Sequence, residues 1–223
     1  MRLETLRRIP WPLRPIAWRI LERRAHPDAE RVHGSFPSVP NEGPIRPVTR
    51  SEFEELAKRD PYYRGRSRYF GTAAAVAGDM ILRLQLRSAL ELGPNVRPLI
   101  VGADVMDRIP RPDVRSAGRF VLHDATVVPW PIVKRRYDLF VALQVFEHLG
   151  SSQPAAFAEV RRIARHAIIS LPIDWQMDDP RNPHHGIGHD VVLSWFAPIL
   201  PTRVIVGNPG SRQRLIYTFE NLD

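Results

Sequence analysis

The sequence contains no cysteine. That excludes disulfide staples, thiolate metal sites and a cysteine nucleophile. Lysine is almost missing as well: of 32 basic residues only Lys58 and Lys134 are lysines, and the rest are arginines. Such a skew often follows GC-rich coding and is weak evidence of function. No run of about 18 apolar residues occurs, so no membrane-crossing helix is expected. Arginines interrupt the apolar stretch near the start, so the pattern of a signal peptide is not met. A cytoplasmic location is the expectation.

The 223 residues suffice for one well-buried core with an appendage, and 43% hydrophobic with 25% charged residues is ordinary for a globular chain. The net charge of +8 is unevenly spread. Residues 1–70 hold 15 basic against 9 acidic side chains, and residues 71–223 hold 17 against 15. The excess lies in the first third, so a nucleic-acid partner for the remainder is disfavoured.

Residues 1–48 are rich in Arg and Pro and read as an N-terminal extension. Pro15 suits the first position of a short helix reaching Arg24, with Ile16, Ile20 and Leu21 on one face and four arginines elsewhere. Two readings stand: peripheral contact of residues 1–24 with an anionic membrane, or a helix docked on its own domain. The prolines of residues 25–48 predict an irregular extended segment.

Thr49 or Ser51 can cap a helix whose first turn is acidic. Further helical stretches are expected after Asp60-Pro61 and from about Thr72 to Arg87. These make residues 49–87 an entry or lid region. In residues 60–70, Tyr62, Tyr63, Tyr69 and Phe70 alternate with arginines. They bind an anionic or aromatic substrate, with Tyr63 and Arg64 covering a cleft, or stack on nucleic-acid bases, or pack their rings on the core with arginines outward.

From Ser88 the pattern changes to short apolar runs alternating with helices. Strands are expected at Ala89–Leu92, Ala103–Met106, Arg119–Leu122, Tyr137–Leu143 and Ala167–Leu171. A helix is expected over Pro154–Arg165 and another near Asp190–Pro198, followed by strands at Thr202–Val206 and Leu215–Phe219 joined by a turn. Such alternation predicts an α/β core over 88–223 within one domain spanning 49–223: a doubly wound, mainly parallel seven-stranded sheet with its last strand antiparallel. Only ten residues separate Leu92 from Ala103, with Pro94 and Pro98 among them, so the first crossover is expected to be a loop without a helix.

In such sheets ligands sit beyond the carboxyl ends of strands. The residues at each strand end are therefore informative: Glu91-Leu92-Gly93-Pro94, then Asp104-Val105-Met106-Asp107, His123-Asp124-Ala125, Gln144-Val145-Phe146-Glu147-His148-Leu149, and Ser170-Leu171-Pro172. In this order and spacing, residues 70–220 resemble the class I S-adenosylmethionine-dependent methyltransferases. The resemblance implies a Rossmann-like fold, S-adenosyl-L-methionine as cofactor, and methyl transfer to a small or medium acceptor through O, N or C. It implies cofactor contacts from Glu91, Gly93, Asp104, Asp107, Asp124, Ala125 and Gln144, with Asp107 preferred to Asp104 for the ribose and Asp124 for the adenine; Glu91 bonds either the loop after its strand or the cofactor's amino group. The loop Gly93-Pro94-Asn95 departs from the family's Gly-x-Gly. A non-catalytic member of the same fold, acting as a partner-binding or membrane-associated scaffold, is the alternative.

Three histidines are candidates on the acceptor side. His148 follows the fourth strand, and His184 and His185 lie in the loop after the fifth. Asp178, Asp179, His189 and Asp190 share that loop, but Pro183, Gly186 and Gly188 exclude a helical His-x-x-x-His pair, so no metal site is read there. The two accounts of the histidines are proton transfer to and from an acceptor, or hydrogen bonds to loop backbone.

Overall fold

A computed structural model describes residues 29–30, 34–37, 43–110, 118–208 and 212–222. The helix expected over 15–24, and with it the membrane reading of residues 1–24, lies outside these. Among the described residues, no helix is long and apolar enough to cross a membrane.

The strands are β1 (Arg46–Pro47), β2 (Ala89–Leu92), β3 (Ile100–Val101), β4 (Asp104–Asp107), β5 (Phe120–Leu122), β6 (Tyr137–Leu143), β7 (Ala164–Pro172), β8 (Arg203–Asn208) and β9 (Arg214–Phe219). The helices are α1 (Arg50–Arg59), α2 (Ser67–Arg83), α3 (Gln153–Ile163) and α4 (His189–Phe196), with single 3₁₀ turns at Pro61–Tyr63 and Phe146–His148. Seven strands form one sheet in the order β5-β4-β2-β6-β7-β9-β8. Neighbours from β5 to β7 pair in parallel, and β9 runs antiparallel to both β7 and β8. This is the doubly wound sheet expected, with β6 near its centre.

Successive side chains of a strand face opposite sides, and the core divides accordingly. Leu90, Leu92, Phe140, Ala142, Ile169, Leu215 and Tyr217 face Phe157 and Val160 of α3 and Phe196 of α4. Ala89, Leu139, Val141, Ile168 and Ile216 face Ala73, Ala77 and Met80 of α2. Both faces of the central strands are buried, which is why these strands are apolar throughout.

Several boundaries differ from expectation. Helix α2 starts at Ser67, not Thr72, because Gly65 at φ 71° closes the preceding turn. Gly71 is kept inside it because the Phe36 ring lies on that spot: a Cβ there would sit 3.3 Å from Phe36 Cδ2. The helix ends at Arg83, where Gln85 takes φ 53°. Strand β7 begins at Ala164, three residues early, because Ala164 and His166 pair with Tyr137 and Leu139 of β6. Pairing there overrides the helical periodicity that Arg165 continues.

The division after residue 48 is not a division in the packing. Phe36, Ile45 and Val48 are buried in the α2 side of the core. Phe36 stacks at a tilt on Phe53, with centroids 4.7 Å apart. Strand β1 pairs antiparallel with β3. Glu30 extends the β8 edge through Glu30 N–H to Val204 O (2.7 Å) and Val206 N–H to Glu30 O (2.9 Å), and its carboxylate pairs with Arg203.

The α1 N-terminus is a capping box. The Thr49 hydroxyl accepts from Glu52 N–H, and Thr49 N–H donates to the Glu52 carboxylate. Arg46 and Arg97 also bind Glu52, and the Arg46 bond holds its pKa well below the carboxylate range. The helix is thereby tied to the loop between β2 and β3.

Candidate functional site

The crossover from β2 to β4 contains no helix, as its length required. The chain turns at Gly93 (φ 56°) and Asn95 (φ 61°) and is then held from two sides. Tyr63 O–H donates to Pro94 O (3.3 Å) and accepts from Val96 N–H (3.4 Å). Glu91, wholly buried, accepts from Ile100 N–H at 3.1 Å. Burial pushes the Glu91 pKa up to about 8, so the carboxyl is largely protonated at neutral pH.

A cleft of about 280 Å³ opens at the carboxyl ends of β2, β4, β5 and β6. Gly93, Asp107, Asp124, Ala125, Gln144 and His148 all line it. Asp107 is almost fully buried and accepts from Ile109 N–H at 3.1 Å. Asp124 Oδ1 accepts from both the amide and the hydroxyl of Thr126, and the amide bond is the larger cause of its lowered pKa. A Cβ on Gly93 would stand 3.2 Å from Val145 across the cleft wall, so only glycine leaves that space open.

Other residues expected at the site lie elsewhere. Glu91 faces the α2 side, because its neighbours Leu90 and Leu92 take the other face of β2. Asp104 turns away from the cleft: its Oδ1 accepts from Arg119 N–H and its Oδ2 from Tyr137 O–H at 2.6 Å. Asp107 follows Asp104 by three positions, an odd offset, so the two fall on opposite faces of β4. Tyr63 is buried against Phe53 and Phe70 and braces the Gly93 loop without covering the cleft. Arg64 donates to Ala57 O and Lys58 O at the end of α1. Tyr63, Tyr69 and Phe70 are thus core, Tyr62 is half-buried with the Arg66 guanidinium 3.9 Å from its ring, and Arg64 and Arg68 are exposed. His185 is folded into its own loop, with Nδ1 3.0 Å from Met177 O, and does not line the cleft.

His148 and His184 do converge. Their Nε2 atoms are 3.2 Å apart although the two residues are 36 positions apart in sequence. The ring of His184 also meets Trp175 edge-on, with centroids 5.4 Å apart. His148 sits at the cleft mouth. Desolvation lowers both imidazole pKa values, assisted by Arg108 at His148 and by His148 itself at His184. Beneath them Glu147 is buried, and neither carboxylate oxygen has a hydrogen-bond partner among the described residues. Burial pushes its pKa up to about 8. Glu147 Oε1 stands 4.0 Å from His184 Nε2.

A third group adjoins this cluster and was not anticipated from the sequence. Arg214, buried in β9, donates to Gln144 Oε1 at 2.9 Å. Its guanidinium lies over the Trp175 ring at 4.7 Å and the Tyr69 ring at 5.0 Å. Tyr69 O–H is 2.8 Å from Ser170 Oγ. No local motif marks Arg214 or Trp175. They meet only because β9 inserts beside β7.

No family model matches the chain, and no curated protein matches it. Solved structures do. N-methyltransferase NodS from Bradyrhizobium japonicum WM9, in complex with S-adenosyl-L-homocysteine, superposes with a TM-score of 0.52 at 18% identity, covering 78% of this chain and 98% of that one. The chain has the methyltransferase fold. Protein PH0226 from Pyrococcus horikoshii OT3 superposes with a TM-score of 0.48 at 12% identity, over 73% of this chain and 99% of that one. The CurJ carbon methyltransferase gives 0.47 at 13% identity, over 75% and 58%. This chain builds the methyltransferase fold with a helix-free first crossover, which β1 and Val48 hold through β3 pairing and a Val48 N–H bond to Leu99 O.

Proposed function

We propose that the protein is an S-adenosylmethionine-dependent methyltransferase acting on a small-molecule acceptor. One observation carries this reading: Gly93, Asp107 and Asp124, drawn from three separate strand ends, line one cleft with Gln144 and His148. The residues suit the cofactor. Gly93 lets backbone approach the ligand closely. Asp107 at the end of β4 is placed to accept from ribose hydroxyls, as an acidic residue does in dinucleotide folds. Asp124 after β5 is placed to accept from an adenine amino group. The atypical loop fits as well, since Tyr63 and Glu91 supply the rigidity that a crossover helix would have given.

The cofactor supplies an activated methyl group, so the protein contributes alignment and exclusion of water. Tyr63 and Glu91 hold the loop, Asp107 and Asp124 orient the nucleoside, and the acceptor enters beside the His148–His184 pair. The test is calorimetric titration with S-adenosylhomocysteine. Wild type binds, and Asp107→Ala and Asp124→Ala each lose roughly tenfold or more, as for a hydrogen bond to a charged group. Absent binding to wild type would leave a non-catalytic scaffold of this fold, and undiminished binding to both variants would reject the assignment.

A further inference from the structure

Glu147 presents a problem that the cofactor cleft does not solve. A carboxyl group removed from water normally has hydrogen-bond partners, because a buried polar group left without them is strongly destabilising. Among the described residues, both Glu147 oxygens lack them. The residue beside it in sequence, His148, and the distant His184 bring two imidazole nitrogens to the same point. The ligand atoms of the three side chains lie within 4.8 Å of one another. Two nitrogens bound to one tetrahedral ion at about 2.0–2.1 Å are about 3.3 Å apart, and Nε2 of His148 and Nε2 of His184 are 3.2 Å apart. The Glu147 oxygen, 4.0 Å from His184 Nε2 and within 4.8 Å of the His148 nitrogen, needs a shift of up to about 1.5 Å to complete the set.

We propose that Glu147, His148 and His184 bind one divalent cation of the zinc class at the edge of the cleft. Two imidazoles with one carboxylate are a donor set that suits zinc and its neighbours, and three protein ligands leave a position open. His148 lines the same cleft as Gly93 and Asp107, so that position adjoins the space beside the cofactor. The loop of His184 is fixed for the task. Its backbone N–H donates to Asn182 Oδ1 at 3.0 Å, and its ring rests on Trp175, which is itself held by donation to Gln213 O at 2.6 Å.

The ion's role rests on the methyltransferase reading, whereas its binding does not. An ion at this place selects an acceptor that offers oxygen. Coordination lowers the pKa of the hydroxyl, which releases its proton to solvent. An oxygen electron pair then forms the O–CH₃ bond, and the S–CH₃ bond breaks with its pair retained on the sulfur of S-adenosylhomocysteine. In this arrangement the two imidazoles are ligands and not bases. The sequence concealed the site because its ligands come from the turn after β6 and the loop after β7, with no spacing motif between them.

The experiment uses the full chain stripped with a chelator and titrated with Co²⁺, then with Zn²⁺ in competition. Wild type takes up one equivalent and shows the visible absorption of four- or five-coordinate cobalt. His184→Ala and Glu147→Gln weaken binding at least tenfold, the minimum seen even for groups that only support a ligand, and His185→Ala leaves it unchanged. Acetohydroxamate, a small oxygen donor, shifts the cobalt spectrum. No stoichiometric uptake by wild type, or equal uptake by Glu147→Gln and His184→Ala, overturns the site. An unshifted spectrum overturns the acceptor role. Should His184→Ala fail to fold, the wild-type spectrum and Glu147→Gln decide. S-adenosylhomocysteine is titrated in parallel: cobalt binding without cofactor binding sinks the methyltransferase reading and spares the metal site.

Discussion

Gly93 offers a perturbation whose cost divides cleanly between backbone and ligand. It sits at φ 56°, a left-handed conformation that costs an L-residue roughly 1–2 kcal/mol. A methyl group there would also stand 3.2 Å from Val145 Cγ2, so Val145 must move by a few tenths of an ångström. Gly65 is the matched control. It has φ 71°, nothing lies within 4 Å of its Cβ position, and it does not line the cleft. Gly65→Ala should therefore lose about 1–2 kcal/mol through the backbone alone. For a chain of this size that is roughly 2–8 °C in Tm. Gly93→Ala should lose at least as much, and it alone should bind S-adenosylhomocysteine at least tenfold more weakly, about 1.4 kcal/mol. Thermal unfolding and calorimetry on the two proteins read these terms separately. Equal cofactor affinity in both variants would refute the idea that the ligand presses on the Gly93 backbone.

Stability measurements check two further expectations. Because burial raises the folded pKa of Glu91 to about 8, its protonation contributes stability that is complete below the unfolded value of about 4.3 and is lost as pH rises through 8. In denaturant titrations, wild type should lose stability relative to Glu91→Gln by up to about 1.4 kcal/mol per pH unit between pH 5 and 8; parallel curves would contradict a buried protonated carboxyl. Phe36→Ala should destabilise the domain by about 3–5 kcal/mol, since Phe36 is buried against Phe53 and Gly71. A change under about 1 kcal/mol would mean that this ring adds little to the core.

The alternation of apolar runs and helices determined the sheet and its parallel order by itself. Burial on both faces forces the central strands to be apolar, and a parallel connection forces a crossover after each. The ten residues between Leu92 and Ala103 likewise decided that the first crossover holds no helix. Carboxyl-end positions were readable for the same reason, and Gly93, Asp107 and Asp124 lie there. Direction was beyond the sequence. Glu91 and Asp104 lie in the same motifs as true cleft residues, but the pleat turns them to other faces, and Tyr63 turns inward because a helix-free loop needs a brace. Convergence was beyond it too. Phe36 meets Gly71, His148 meets His184, and Arg214 meets Gln144 because the chain folds back, and periodicity carries information only between near neighbours. Tertiary structure alone decides which distant side chains share a pocket, and that the buried Glu147 carboxyl has no hydrogen-bond partner among the described residues becomes visible only when the atoms around it have positions.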